Sequence, residues 1–234
     1  MTGHAVGDRQ PLTLRIDPHV HTSASYDGVT APEELLEQAR AVGLDGVVVT
    51  DHDTVDGAVR VAELAADRDL TVIVGCEVST ADGHLLAIGV DAAPAPGRPL
   101  AETARTVRAA GGVAVVPHPF QRSRHGARGA AIDDVDGVEV YNAHAVTNVR
   151  NRQAERFATG HDYPQFGGSD AHRPGNVGRA VTEVRLPAAA TPTADAILES
   201  MRAGRTAAVG RRTTTWQYLT KVIGNAKRKT PSLL

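Results

Sequence analysis

Leu12-Thr13-Leu14-Arg15-Ile16-Asp17-Pro18-His19-Val20-His21 is the stretch on which the reading of this chain turns. Its first half is an apolar run of strand length, and its second half ends that run in His-x-His. Alternate residues of an extended chain share a face, so the imidazoles of His19 and His21 point the same way at a strand end. The arrangement recurs. Asp51-His52 follow Val47-Val48-Val49-Thr50, Glu77 ends Val72-Ile73-Val74-Gly75-Cys76, His118 follows the run 113–117, and Asp170-Ala171-His172 follow Phe166-Gly167-Gly168-Ser169. Asp27 lies shortly after His21, and His84 opens the run 85–90. Singly, these residues have plainer readings: His52 beside a helix-capping Asp51, His118 in a loop, Asp170 in a turn with an N-cap. Together, His19, His21, His52, His84, His118 and His172 are six of the ten histidines, all at one end of successive runs, which random scatter does not produce. Histidine and carboxylate hold Zn, Mn or Fe, and a set this large implies more than one ion.

The rest of the chain supplies the frame. Runs rich in valine and isoleucine recur at 12–17, 45–50, 71–77, 113–117, 137–141 and 164–168, with another at 180–186. Most are apolar throughout, as expected of parallel strands covered on both faces. Between them lie helix-period segments at 32–42, 55–66, 100–110, 147–159 and 193–203. Pro32 suits a first helical turn with Thr30 as its cap, and Gly43, Gly111, Gly160 and Gly204 follow helices as stops. Strand and helix in alternation imply a parallel sheet, either closed as a barrel or open and doubly wound. The ligand positions decide between these. An open sheet gathers its site at one switch point, whereas here nearly every strand contributes a residue at its C-terminal end. The expected fold is therefore α/β, a distorted seven-stranded (β/α) barrel of TIM-like type, spanning 12–212 as one domain. His84 fits if residues 79–83 turn the chain back, so that 85–90 descends antiparallel to 72–77 and His84 lies beside Glu77. Trp216, Tyr218, Leu219, Val222 and Ile223 point to a C-terminal helix within 213–234, ahead of a basic tail, packed on the barrel or on a second subunit of a homo-oligomer.

Bulk composition narrows the partners. A formal net charge of -2 argues against charge-driven binding to duplex nucleic acid or to an anionic membrane. The single cysteine, Cys76, excludes an intrachain disulfide and a zinc ribbon and fits a reducing cytoplasm. Without an activating partner it reads as a small buried apolar residue rather than a nucleophile. Residues 1–11 contain no apolar signal-peptide core, and no run approaches the ~20 apolar residues of a membrane span, so a soluble cytoplasmic protein is expected.

Taken with Thr22, Tyr26-Asp27-Gly28, Thr50-Asp51-His52-Asp53, Gly75-Cys76-Glu77-Val78-Ser79, His118-Pro119, Glu139-Val140-Tyr141-Asn142 and Gly168-Ser169-Asp170-Ala171-His172, the opening Asp17-Pro18-His19-Val20-His21 resembles the ordered motifs of the PHP (polymerase and histidinol phosphatase) superfamily. The resemblance covers roughly residues 12–185 and implies a metal-dependent phosphoesterase. It places His19, His21, Glu77 and Asp170 on one ion, with Glu77 bridging to a second held by His84 and His118, and Asp27, His52 and His172 on a third. Some relatives have histidine where this chain has Asp27. The implied cofactors are two or three divalent cations, Mn, Zn or Fe. The implied nucleophile is a hydroxide bridging two of them, with Glu77, Asp170 and His172 as the residues carrying catalysis. A carboxylate can bridge two cations through its two oxygens, as an imidazole cannot. The leaving group is protonated by water or by a nearby histidine.

Arg122 and Arg124, just after His118, are candidates to grip a substrate phosphate by charge-assisted hydrogen bonds, the alternative being a solvated loop. Asn142 and His144, beyond a strand end, are candidates to line the pocket. Glu139 and Asp51 are candidates to orient ligand histidines, Asp51 acting on His52. His4, His125 and His161 receive no role. An amidohydrolase-type barrel with a modified lysine bridging its metals is excluded, because Lys221, Lys227 and Lys229 all follow Trp216. A non-catalytic metal-binding accessory domain remains a rival. An aromatic content of 3% offers few stacking platforms for single strands. That favours a small or nucleotide-like phosphorylated substrate over a short oligonucleotide attacked as by a 5'-3' exonuclease, with histidinol phosphate last.

Overall fold

Valine-rich runs and the helices between them wind a single nine-stranded sheet in the computed structural model, which describes residues 11–66, 69–145, 147–188 and 190–210. In chain order the elements are β1 (Leu12–Val20), α1 (Pro32–Ala41), β2 (Gly46–Val49), α2 (Asp56–Ala65), β3 (Thr71–Thr80), β4 (Gly83–Ile88), α3 (Leu100–Ala109), β5 (Val113–Val116), β6 (Gly137–Asn142), α4 (Asn148–Gly160), β7 (Gln165–Gly168), β8 (Ala180–Leu186), α5 (Ala194–Arg202) and β9 (Thr206–Gly210). The strands lie in the order β7-β6-β5-β4-β3-β2-β1-β8-β9. β1, β2 and β3 are parallel neighbours, as are β5, β6 and β7, while β4 runs antiparallel to both β3 and β5.

The expected count of seven strands is corrected to nine. β8 lies antiparallel along β1, from Leu12 opposite Leu186 to Ile16 opposite Thr182, and β9 pairs antiparallel with β8. Together they narrow the gap between β1 and β7, so the sheet is nearly closed. Thr182 stitches that gap: its Oγ1 accepts from the Gly167 N–H at 3.0 Å and donates to the Gly167 carbonyl at 2.9 Å. The approach requires a glycine, because a Cβ at Gly167 would lie 2.7 Å from the Val181 carbonyl oxygen. Farther along, a parallel bridge joins Val20 to Ala171. β9 escaped the sequence reading because Thr-Ala-Ala-Val-Gly is short, small and largely exposed, with no hydrophobic run.

Helix ends follow simple rules with two exceptions. Pro32 occupies the first turn of α1, but the N-cap is Ala31, whose N–H donates to Glu34 Oε2 at 3.4 Å, and Thr30 Oγ1 has no hydrogen-bond partner among the described residues. Gly43, Gly111 and Gly204 take φ of 70°, 81° and 67° as helix stops, whereas Gly160 is still helical and Asp162 takes the left-handed turn at φ 56°. The segment 213–234, expected to carry a C-terminal helix, lies outside the described residues, as does His4. Among the described residues no helix is long and apolar enough to cross a membrane.

The barrel interior is filled from one end. Leu14, Ile16, Val48, Ile73, Leu86 and Phe166 pack with Ile197 and Met201 of α5, which plugs the end where the parallel strands begin. The outer faces are covered by α3 and α4 on one side and by α1 and α2 on the other. This arrangement leaves the C-terminal ends of the strands for polar residues, the division of labour expected of such barrels. Phe166 is fully buried, with its ring against Gly137. Phe166→Ala should lower unfolding free energy by about 3–5 kcal/mol. A loss below about 1 kcal/mol in denaturant titration would contradict this packing.

Candidate metal centre

Two constraints shape the end of β1. The Asp17 carboxylate accepts from the backbone N–H groups of Ser169 at 3.0 Å and Gly178 at 2.8 Å, tying β1 to the chain beyond β7. Burial pushes its carboxyl up to about 6 against those hydrogen bonds. The His21 N–H donates to the Ala171 carbonyl at 2.9 Å, holding the two segments in register. His19 and His21, both fully buried, then face Glu77 at the top of β3.

Glu77 is the meeting point. Its Oε2 lies 3.2 Å from His19 Nε2 and 3.2 Å from His21 Nε2. Its Oε1 lies 2.8 Å from His84 Nδ1 and 3.0 Å from His118 Nε2. The β3–β4 hairpin pairs Ser79 with His84, so the turn at 79–83 does bring His84 beside Glu77. A second gathering forms on Asp27, whose Oδ2 stands 2.9 Å from His172 Nε2 and 3.4 Å from His52 Nε2. Asp170 Oδ1 faces the ring nitrogens of His172 at 3.3 Å, His21 and His144 at 3.6 Å, and His19 at 3.7 Å. All nine residues expected as ligands thus converge, and His144 joins them. The clusters able to hold an ion overlap: His19–His21–Glu77, His19–His118–Asp170, His52–Glu77–His84, His21–Asp27–His52–His172 and His144–Asp170–His172.

Divalent cations fit this set. Two ligands held by one ion at about 2.1 Å stand about 3.0–3.4 Å apart, the range in which half of these contacts fall. Among the described residues His21 Nε2, His52 Nδ1 and Asp170 Oδ1 are buried without a hydrogen-bond partner, a costly state unless another group meets them. Burial by itself would raise the carboxyls of Glu77 and Asp170. The surrounding charges and hydrogen bonds outweigh it, His19 and His118 for Glu77 and Arg124 and His19 for Asp170, and hold both well below the usual range. Burial lowers His21 to about 4, so it is neutral and able to ligate. Burial works the same way on His19, but Asp170, Glu77 and Glu139 overcome it and draw a proton onto the ring. Buried carboxylates thus recruit positive charge wherever they find it, as a cation would supply.

Behind the cluster stands a polar support. Glu139 Oε1 is 3.1 Å from His19 Nδ1, and its Oε2 accepts from the His118 N–H at 2.8 Å and from Asn142 Nδ2 at 2.8 Å, so Glu139 orients a candidate ligand as expected. Asp51 does not act on His52. It accepts instead from the Thr22 N–H and hydroxyl, each at 2.7 Å, and so fixes the turn after His21. Asn142 Nδ2 also donates to Asp170 Oδ2 at 2.9 Å, and Arg124 pairs with the same oxygen. These two candidate substrate contacts therefore touch Asp170 directly, leaving its Oδ1 turned to the histidines. Arg122 points away, into an adjoining cavity. His161 bonds the Phe157 carbonyl away from the cluster.

The sequence reading missed two neighbours. Tyr26 stacks on His52 with ring centroids 4.8 Å apart, and His125 lies against His84 at 5.3 Å. Tyr26 adjoins Asp27 within a quoted motif, which was a signal; nothing local marked His125.

The PHP domain family matches residues 17–159, and the PHP-associated family matches residues 148–206. An uncharacterized protein of Methanocaldococcus jannaschii is 29% identical over 152 residues, 60% of this chain and 89% of the relative. The error-prone DNA polymerase of Mycobacterium tuberculosis is 47% identical over 62 residues, 26% of this chain, which spans only 6% of the polymerase. A 5'-3' exoribonuclease of Haemophilus influenzae is 41% identical over 70 residues, 30% of this chain and 25% of the relative. Among solved structures, PsfC from Pseudomonas syringae aligns at TM-score 0.67 and 21% identity over 93% of this chain and 98% of its own. A two-domain protein from Bacteroides vulgatus containing a predicted PHP-like metal-dependent phosphoesterase aligns at TM-score 0.66 and 22% identity over 86% of this chain and 66% of its own. At these identities the structural matches speak for the fold.

Cys76, next to Glu77, is fully buried, and burial followed by the charges of Asp53 and Glu77 pushes its thiol up to about 12. Iodoacetamide should leave the native protein unmodified at pH 8 and label Cys76 only after denaturation. Rapid labelling of the native state, read by mass spectrometry, would reopen a nucleophilic role.

Proposed function

The chain belongs to the PHP family, and on that premise we propose that it hydrolyses phosphoesters with divalent cations held by its histidine–carboxylate cluster. One observation supports this most strongly: the two oxygens of buried Glu77 face separate histidine pairs, His19 with His21 and His84 with His118. His19, His21, Glu77 and Asp170 would hold one ion, Glu77, His84 and His118 a second, and Asp27, His52 and His172 a third. Mn, Zn or Fe held there would supply an activated water and Lewis-acid neutralisation of charge on the phosphoryl oxygens.

The chain's own residues prepare for this. Glu139 Oε1 accepts the Nδ1 proton of His19 and so leaves Nε2 free to ligate. The Asp170 carbonyl, 3.0 Å from His172 Nδ1, does the same for His172, whose Nε2 faces Asp27. Arg124 pairs with Asp170 and lines the narrow cavity over the cluster with His52, His84 and His172, where its remaining N–H donors suit a phosphoryl oxygen. His144 is turned toward Asp170 and His172.

The substrate in this reading is a small or nucleotide-like phosphoester. Similarity to the exoribonuclease favours a second reading, in which the ester is the terminal phosphodiester of a short oligonucleotide.

Protein purified without chelator should carry two or more of these metals per chain by elemental analysis and should cleave a phosphomonoester or phosphodiester. Glu77→Ala should lower turnover at least about a hundredfold and reduce bound metal. Absence of metal even after reconstitution would overturn the ligand assignment, while metal without turnover would favour an accessory domain. Arg124→Ala should raise KM more than it lowers kcat, and unchanged KM would remove Arg124 from the substrate site.

A further inference from the structure

A cavity of about 540 Å3 lies beside the cluster rather than over it. It adjoins the narrower cavity of about 200 Å3 that contains Glu77, sharing Tyr26, His84 and His125 as a common wall. Its far wall carries Arg122 and Arg128, both exposed. Among the described residues neither guanidinium has an acidic partner or a side-chain hydrogen bond. Asp82 also lines the cavity, but its Oδ2 is engaged by the Leu100 N–H at 3.0 Å as a cap of α3. Two guanidiniums against the single carboxylate of Asp82 leave the cavity net positive.

The loop bearing these arginines is pinned. The His84 N–H donates to the His125 carbonyl at 2.9 Å, and the Phe120 N–H donates to the Ala127 carbonyl at 3.0 Å. Gly83, at φ 136°, lets the loop approach so closely that a Cβ there would lie 2.6 Å from the Ala127 nitrogen. Phe120 and His125 hold left-handed backbone at φ 66° and 52°. One 3-10 turn, Arg122–Arg124, then sends its first arginine to this cavity and its last to Asp170 inside the cluster. Two cations thus stand on either side of the His84–His125 wall, Arg124 paired with Asp170 and Arg122 without an acidic partner among the described residues.

We propose that this cavity is a second anion subsite, in which Arg122 and Arg128 bind a phosphate carried by the substrate beyond the scissile ester. The inference rests on the phosphoesterase reading and narrows it to substrates with two phosphoryl groups. Preorganised guanidinium donors suit a phosphate, which accepts several charge-assisted hydrogen bonds at once. Tyr26, 80% exposed and stacked on His52, closes the side through which the linking part of the substrate would pass.

The test compares butyl phosphate with 4-phosphonobutyl phosphate, whose distal phosphonate cannot be cleaved. In the wild type, kcat/KM should favour the phosphonate-bearing ester at least about tenfold, chiefly through KM, and in the Arg122→Ala/Arg128→Ala double variant the ratio should fall to near one. No preference in the wild type, or a preference that survives in the double variant, overturns the subsite. Calorimetric binding of butane bisphosphonate to both proteins reads the subsite without turnover, and equal melting temperatures confirm that two exposed arginines were removed without disturbing the fold. If neither ester is cleaved but bisphosphonate binding weakens about tenfold in the variant, the phosphoesterase reading fails and the anion subsite stands; equal binding overturns the subsite.

Discussion

The rest of the structure depends on keeping the Glu77 carboxylate ionised where it is almost wholly buried. β3 is the middle strand of the sheet, and Glu77 sits at its upper end, 1% exposed. Such a charge is tolerated only if every direction from it meets a compensating group. The chain meets this demand with four imidazoles from three different strand ends, arriving as two pairs on two oxygens. An open twisted sheet would carry β1 and β5 apart. Convergence on one carboxylate requires the curvature that also brings β7 toward β8, so the near-closure of the sheet and the assembly of the cluster express one constraint.

A second layer converts convergence into precision. Glu139 engages the His19 ring, the His118 backbone and the Asn142 amide at once, so one carboxylate on β6 sets groups from β1, β5 and its own strand. Asp17 does the corresponding work on the other side, joining β1 to the segment that delivers Asp170 and His172. Both are buried acids with well-formed partners, the state in which a polar network rigidifies what it touches. Asp170 shows the result. Asn142 and Arg124 occupy one of its oxygens and so commit the other to the histidines. The left-handed backbone of Asp170, φ 52°, is held by the same contacts.

Much of this was legible because strands have a period of two and a sheet delivers its functional residues at one end. His19 and His21 announce a shared face by spacing alone, and apolar runs before Asp51-His52, Glu77, His118 and Asp170 mark where each strand stops. What escaped was decided by tertiary contact. Whether Asp51 serves His52 or Thr22 depends on how the turn after His21 folds across β2, and sequence adjacency favoured the wrong partner. The opposite directions of Arg122 and Arg124 follow from a 3-10 turn fixed by contacts with β4, not from their own pattern. β9 forms because β8 offers it an edge, and five small residues can take that edge without a hydrophobic signature of their own.

The two ends of the barrel are built on opposite principles. At the α5 end, Ile197 and Met201 fill the interior with Leu14, Ile73 and Phe166, and stability comes from apolar burial. At the other end the interior holds imidazoles and carboxylates whose attraction barely offsets the cost of drying them. Under the proposed reading, cations would complete that end and, by binding the folded arrangement in preference to the unfolded chain, would add stability that grows with the logarithm of their concentration over their dissociation constants. The apolar plug then has to hold the sheet curved without their help, since the ligands must already be in place for an ion to find them. Filling the barrel from below is what lets its upper half be built of imidazoles and carboxylates.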